Sequence, residues 1–200
     1  MLFFKRHKIN RLKKKIRAMQ GTRQNNPVDE DVLIKERRLY RELAKIYGGL
    51  IGHKKFPCAD VLQEACYRAA AEIDDVDAKF WLAHKLMEEA KVRDTLEQEK
   101  IFSSRINARN MKQQYEEAHA WLEAAKQFNH VEGMRLCGLA YINGWGVEQD
   151  KDKGFDMVVK SIDIENSWDK VPEIFARIGL NKPEFFSALT SHRQQKNRQG

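Results

Sequence analysis

Proline is absent from residues 60–141, and the only glycines there are Gly133 and Gly138. Because proline and glycine are the residues that most often interrupt regular structure, this stretch can form long, continuous elements. The chain shows no convincing alternation of apolar and polar residues of the kind that marks a half-buried strand. We therefore predict an all-α protein. The expected helices span about 29–47, 59–73, 77–102, 107–128, 131–142, 151–163, 168–178 and 182–195.

The positive charge of the chain is concentrated at its N-terminus. Residues 1–26 carry nine Lys or Arg and no Asp or Glu, whereas the remainder carries 27 basic and 29 acidic residues. The segment 21–27, GTRQNNP, breaks the helical pattern and is predicted to be a linker. We accordingly expect a basic arm and linker at 1–26 and a helical domain at 27–200. Such an arm suits an anionic partner, either lipid or nucleic acid.

Apolar residues of the arm recur at intervals of seven, three, four and three residues, which places them on one face of a helix. This amphipathic helix could insert at a membrane surface, pair with a partner helix, or bind nucleic acid through its cations. A fourth hypothesis is a solvated basic tail without a ligand. Of the four, the pattern favours binding to a membrane surface most. The residues of this membrane or partner arm are Leu2, Phe3, Phe4, Lys5, Arg6, Lys8, Ile9, Arg11, Leu12, Lys13, Lys14, Lys15, Ile16, Arg17 and Met19.

Two parts of the chain repeat each other at an interval of 55 residues. In both, a helix ending in Ala-Ala is followed by a polar turn and a second helix with small residues on one face. Repeated helix–turn–helix hairpins of this kind build α-solenoids. The matching positions are Ala65, Ala69, Ala70, Val76 and Asp77, which align with Ala120, Ala124, Ala125, Val131 and Glu132.

The later copy resembles a Sel1-like repeat, a relative of the tetratricopeptide repeat, over residues 118–162. Residues 59–90 resemble a degenerate earlier repeat that lacks the glycine turn. The resemblance implies a short right-handed α-solenoid and a family of non-enzymatic adaptors and scaffolds, some of them linked to bacterial secretion or envelope complexes. The residues that carry it are Ala118, Trp121, Leu122, Ala124, Ala125, Gly133, Leu136, Gly138, Ala140, Tyr141, Gly144, Gly146, Val147 and Asp150.

The stretch YINGWGV at 141–147 contains two glycines that could suggest a phosphate-binding loop. Such a loop should follow a strand and open a helix, but here the glycines follow a helix. Gly144 is placed to adopt the left-handed conformation that ends a helix, and Asp150 can cap the next one. We interpret the stretch as the elbow between two repeats. Its predicted structural residues are Gly138, Tyr141, Gly144, Gly146, Val147 and Asp150.

Residue patterns for catalysis, cofactors or metals are weak. His119 and Glu123 have the i,i+4 spacing of two metal ligands, but no third ligand with supporting spacing is evident. We therefore predict no catalytic, cofactor or metal site and no small-molecule substrate, and an enzyme with an unrecognised site remains the rival reading. The expected ligand is a protein, bound on the exposed face of helix 107–128 and at the turn 141–147. The candidate partner surface is Arg109, Lys112, Gln113, Glu116 and Trp145.

Three scattered cysteines are too few for a disulfide framework and indicate a reducing compartment. No run approaches the ~18 apolar residues of a membrane span. We expect a cytoplasmic adaptor, peripheral at the inner face of a membrane if the arm binds lipid. A nucleic-acid-associated factor is the alternative, which the pattern favours less because no recognition motif accompanies the cations.

Overall fold

A computed structural model describes residues 2–25, 29–177 and 183–199 of the protein. The described residues form α-helices and one short 3-10 helix and contain no strand, which confirms the all-α prediction. The α-helices are α1 (Leu2–Asn25), α2 (Glu30–Gly48), α3 (Ala59–Ala71), α4 (Val76–Gln98), α5 (Arg105–Lys126), α6 (Val131–Asn143), α7 (Lys151–Glu165), α8 (Val171–Arg177) and α9 (Pro183–Gln199), with the 3-10 helix Trp168–Lys170 before α8.

Contacts divide the chain into two units, Met1–Leu82 and Ala83–Gly200. In the first unit, α2 packs against both α1 and α3. Helices α1 and α2 are antiparallel: Lys8 pairs with Glu42 at 2.8 Å near one end, and Arg23 pairs with Glu36 at 3.0 Å near the other. The domain boundary that composition predicts after residue 26 stays a prediction.

The apolar face of α1 is already used within this unit. Ile9, Leu12 and Ile16 are each buried, and α1 lies against α2. The expectation that these three side chains are free to insert into a membrane is therefore wrong, because they form part of the core. The predicted linker is also corrected in part, since 21–25 continues the helix. Residues 26–28 of that linker lie outside the described residues.

An ion pair between the partly exposed Arg23 and the buried Glu36 joins the C-terminal half of α1 to α2. The Glu36 side chain is 0% exposed and lies 3.0 Å from Nε of Arg23, in the segment expected to be a linker. Nearby, Nε2 of Gln20 donates a 2.7 Å hydrogen bond to the Tyr40 hydroxyl. A carboxylate with no access to water requires a cation beside it, so Arg23 has a structural role in this unit.

The turn between α3 and α4 is an acidic helix cap. Oδ1 of Asp75 accepts a 2.9 Å hydrogen bond from the Ala78 backbone N–H, as an N-cap does. The guanidinium of Arg41 pairs with the same carboxylate at 3.2 Å. The stacked rings of Tyr67 and Trp81, with centroids 4.1 Å apart, hold α3 against the start of α4.

In the second unit, α6 packs against α5 and α7, and α9 packs against α7. Helix α6 is buried along most of its length. Gly138 and Gly154 allow α6 and α7 to approach closely. A Cβ on Gly138 would lie 2.7 Å from the Gly154 carbonyl oxygen, and a Cβ on Gly154 would lie 2.6 Å from that of Gly138. No helix among the described residues is long and apolar enough to cross a membrane.

Candidate functional site: the elbow groove

The elbow between α6 and α7 is fixed by its glycines and by a helix cap. Gly144 ends α6 at φ +73°, and its backbone N–H donates to the Ala140 carbonyl. Gly146 is also left-handed, at φ +70°. Asp150 then starts α7, because its Oδ1 accepts a 3.0 Å hydrogen bond from the Lys153 N–H. Val147 is half-buried between these points. The segment has the geometry of a chain reversal and does not open a helix as a phosphate loop would.

The elbow lies directly on α5. A Cβ on Gly146 would stand only 2.1 Å from the Tyr115 carbonyl oxygen, so only glycine allows the two backbones to come this close. The preceding side chain, Trp145, stacks parallel to the Tyr115 ring with centroids 5.9 Å apart. The ammonium of Lys91, on α4, lies 4.8 Å from the Trp145 ring centroid. Trp145 is thereby held in place, yet it stays half-exposed.

An open groove of about 710 Å³ lies beside this elbow. One wall comes from α5, the other from the elbow, and Asp94 of α4 contributes at the edge. The lining mixes apolar and charged groups, with three carboxylates against one ammonium. The lining residues are Asp94, Ala108, Met111, Lys112, Tyr115, Glu116, Asn143, Gly144, Trp145, Gly146, Val147 and Glu148.

The structure brings together three of the five residues predicted as a partner surface. Lys112, Glu116 and Trp145 line the groove, and the ammonium of Lys112 lies 3.8 Å from the Glu116 carboxylate. Arg109 and Gln113 are exposed on α5 but are not among the lining residues. The groove therefore follows one side of the helix face that the sequence indicated.

Sequence reasoning missed Tyr115, the residue on which the elbow rests. Its side chain is 6% exposed, and its hydroxyl oxygen is buried without a hydrogen-bond partner. Burial, together with the carboxylates of Asp94 and Glu88, raises the pKa of Tyr115 to about 12, so the phenol stays protonated. Its position on the predicted surface helix, three residues after Lys112 and one before Glu116, could have indicated that Tyr115 lies at the same surface.

A second cluster joins α5 to α6. The Cys137 thiol donates to Oε1 of Glu123 at 3.2 Å, and Nε2 of His119 lies 3.8 Å from that oxygen. The hydroxyl of Tyr141 also donates to Oε1, at 3.3 Å. Lys126 pairs with the other oxygen, Oε2. The i,i+4 spacing of His119 and Glu123 was visible in the sequence, whereas the third residue of the cluster, Cys137, comes from the facing helix.

The protonation of this cluster follows from its burial and its charges. Burial lowers the pKa of His119 below its ordinary value, which favours the neutral imidazole. Burial would raise the pKa of Glu123, but the hydrogen bonds from Lys126 and Cys137 outweigh it, and the pKa lies below the usual range. Burial first, and then the Glu123 carboxylate, raise the pKa of the Cys137 thiol well above its ordinary value.

The first unit has a different candidate surface, the outward face of α1. Its cationic side chains Arg11, Lys14, Lys15 and Arg17 are exposed. At the start of the helix Phe3 and Phe4 are 77% and 76% exposed. Other cations of the arm are engaged within the unit: Lys5 donates to the Gly49 carbonyl, Arg6 lies over the Phe56 ring and Lys13 over the Tyr47 ring. The polar side of the predicted arm is thus presented to solvent together with Phe3 and Phe4, whereas Ile9, Leu12 and Ile16 are buried.

Comparisons with protein-family models, with curated proteins and with solved structures found no match. The resemblance to Sel1-like repeats therefore stays a prediction that rests on the residues of 118–162.

Proposed function

We propose that this protein is a non-enzymatic adaptor that binds a segment of a partner protein in the elbow groove. The observation that supports this most directly is the Trp145 ring, half-exposed and fixed between Tyr115 and Lys91 at the side of an open groove. Fixed aromatic side chains in grooves are frequent centres of protein binding, because they offer a large contact area with little loss of conformational freedom. In this proposal, α5, α6 and α7 belong to a short right-handed solenoid of Sel1-like hairpins.

The groove chemistry favours a basic partner segment with an apolar anchor. Met111, Trp145 and Val147 supply apolar contact area. The acidic lining residues outnumber the basic one, and Lys112 is already paired with Glu116. A Lys or Arg of the partner would complement the remaining acidic charge and steer its approach.

Site-specific photo-crosslinking in cells tests the proposal. A photoreactive amino acid replaces Glu116, which lines the groove, or the exposed Glu132 of α6, which does not line it and serves as the matched control. We expect position 116 to capture a discrete partner whose crosslinked segment is rich in Lys or Arg. The variant Glu148→Lys should reduce that capture. Equal capture from both positions, or capture of an acidic segment, would contradict the proposal.

The exposed cations of α1 are proposed to tether this adaptor to an anionic surface. Because Ile9, Leu12 and Ile16 are buried, the most exposed apolar side chains of α1 that can engage a bilayer beside the charges are Phe3 and Phe4. Each cation near an anionic leaflet contributes about 1 kcal/mol. Tethering of this kind is peripheral and sensitive to salt.

The same burial favours a second candidate, a nucleic-acid-associated factor, because a helix that presents cations without its apolar face is equally suited to phosphates. Flotation with vesicles containing phosphatidylserine, in parallel with titration of a generic RNA duplex, separates the two. Lipid tethering predicts that Phe3→Ser with Phe4→Ser weakens vesicle binding at fixed salt. Strong RNA binding that is insensitive to this change, without vesicle binding, would favour the second candidate.

A further inference from the structure

The His119–Glu123–Cys137 cluster has the composition of a transition-metal site. Each residue offers one ligand atom, and the three atoms lie within 4.8 Å of one another. Imidazole nitrogen, carboxylate oxygen and cysteine sulfur are the three ligand types that bind Zn²⁺ in proteins. Two ligands come from one helix at i,i+4 spacing and the third from the facing helix, so the fold itself holds them together.

The separations of these atoms are close to those that zinc requires. Zinc bonds of about 2.0–2.3 Å at tetrahedral angles place ligand atoms about 3.3–3.7 Å apart. In the structure, Sγ of Cys137 lies 3.2 Å from Oε1 of Glu123 and 4.0 Å from Nε2 of His119. The third edge, from Nε2 of His119 to Oε1 of Glu123, is 3.8 Å. Side-chain rotations that move these atoms by a few tenths of an ångström would suffice to enclose an ion.

The surroundings of the carboxylate also suit a metal ligand. Oε1 of Glu123 faces the thiol and the imidazole, while Oε2 is held by Lys126. A ligating carboxylate is commonly oriented in this way by a hydrogen bond to its other oxygen. Tyr141 supplies a further hydrogen bond to Oε1. A thiolate and a carboxylate together would balance the two charges of the ion, and the ammonium of Lys126, which pairs with the same carboxylate, would then leave the cluster with one net positive charge.

We infer that His119, Glu123 and Cys137 bind one Zn²⁺ ion per chain, with the fourth position open to water or to a ligand from a partner. His119 and Glu123 are only partly buried, with side chains 14% and 31% exposed, so an ion can reach the site from solvent. Binding replaces the thiol proton, which is released to solvent, and the Sγ–metal bond takes the place of the thiol hydrogen bond to Glu123.

Titration with Co²⁺, a spectroscopic substitute for zinc, tests this site on the full chain. The starting protein carries Cys58→Ala, because Cys58 is an exposed thiol that could bind metal on its own. We expect one Co²⁺ per chain, the thiolate-to-cobalt charge-transfer band in the near ultraviolet, the intense visible bands of tetrahedral cobalt, and displacement of both by Zn²⁺. Absence of the charge-transfer band would overturn the inference.

Variants assign the ligands. Cys137→Ser retains a donor to Glu123 and should keep the fold, checked by far-ultraviolet circular dichroism, while abolishing the charge-transfer band. His119→Ala and Glu123→Gln should keep the band but weaken affinity by about tenfold or more. Cys66→Ser, at a buried cysteine of α3, is the matched control and should leave binding unchanged. A band that survives Cys137→Ser would overturn the inference. If Cys137→Ser does not fold, unchanged affinity in both other variants would do the same.

Discussion

Gly146 and Gly144 provide a matched pair that measures how tightly the elbow is held on α5. Both residues have left-handed backbones, at φ +70° and +73°. Alanine at either position carries the left-handed penalty of about 1–2 kcal/mol. The two differ in what an added Cβ would meet. At Gly144 the nearest atom is 3.5 Å away, an ordinary contact, whereas at Gly146 it is the Tyr115 carbonyl oxygen at 2.1 Å.

Because that oxygen belongs to the backbone of α5, the clash at Gly146 can be relieved only if the elbow or the helix moves. Overpacking of this kind costs about 1–3 kcal/mol beyond the backbone penalty. We therefore expect Gly144→Ala to destabilise the protein by about 1–2 kcal/mol and Gly146→Ala by about 2–5 kcal/mol. For a chain of this size each kcal/mol lowers Tm by about 2–4 °C.

Urea unfolding followed by far-ultraviolet circular dichroism, together with thermal melts, measures both variants. Gly21→Ala serves as a control for the substitution itself, because Gly21 is helical and an added Cβ there meets no atom within 4 Å. It should be neutral or slightly stabilising, since alanine is the better helix former. If Gly146→Ala loses no more stability than Gly144→Ala, the proposed contact between the elbow and Tyr115 is refuted.

Three other predictions follow from single contacts. Arg23→Ala should destabilise the protein by up to about 3 kcal/mol, because it leaves the buried Glu36 carboxylate uncompensated. The double variant with Glu36→Leu should recover part of this loss. A urea midpoint for Arg23→Ala equal to that of the wild type would contradict the prediction. Tyr115→Phe should leave stability unchanged or raise it by about 1 kcal/mol, because it removes a buried hydroxyl that has no hydrogen-bond partner. A clear loss of stability in the same urea assay would mean that the hydroxyl does make a hydrogen bond. The hydrogen bond from Lys196 holds the pKa of Asp156 below its ordinary value against the effect of burial. This contact between α7 and α9 therefore stabilises the protein fully above the unfolded pKa of about 3.9. The stabilisation is lost as pH falls through the folded pKa. Carboxyl NMR titration should show a higher pKa for Asp156 in Lys196→Met, and no change would count against the contact.

The helices could be predicted from the sequence because the signals for them are local. The gap in proline and glycine, Asp150 before α7 and Gly144 after α6 act within a few residues of the structure they specify. Helix α1 shows the limit of this reasoning. Gly21 and the polar residues after it suggested a linker, but the helix continues to Asn25, and Arg23 in this stretch pairs with Glu36 on the neighbouring helix. Tertiary contacts of this kind can outweigh a local preference, and a local sequence pattern does not show them.

The sequence of an amphipathic helix likewise does not show what its apolar face will contact. Ile9, Leu12 and Ile16 give the same periodicity whether they meet lipid, a partner or α2. For the same reason only one side of a helix could be predicted as the candidate partner surface. Lys112 and Glu116 of that side line the groove, but the parts played by Tyr115 and Asp94 depend on how other elements pack against α5. Cys137 is the clearest example of a contact that the sequence does not show. Its proximity to His119 depends on the register of α6 against α5.

The packing of α1 on α2 has a consequence for any anion that binds the cations of α1. Arg11, Lys14 and Lys15 are carried on a helix whose other side is anchored, so their spacing is set before the ligand arrives and less ordering entropy is lost on binding than with a flexible tail. By thermodynamic linkage, a ligand that recognises this fixed array binds only the packed helix and therefore stabilises the whole first unit. Loosening α1, for example by replacing Leu12, would weaken anion binding without removing a single charge.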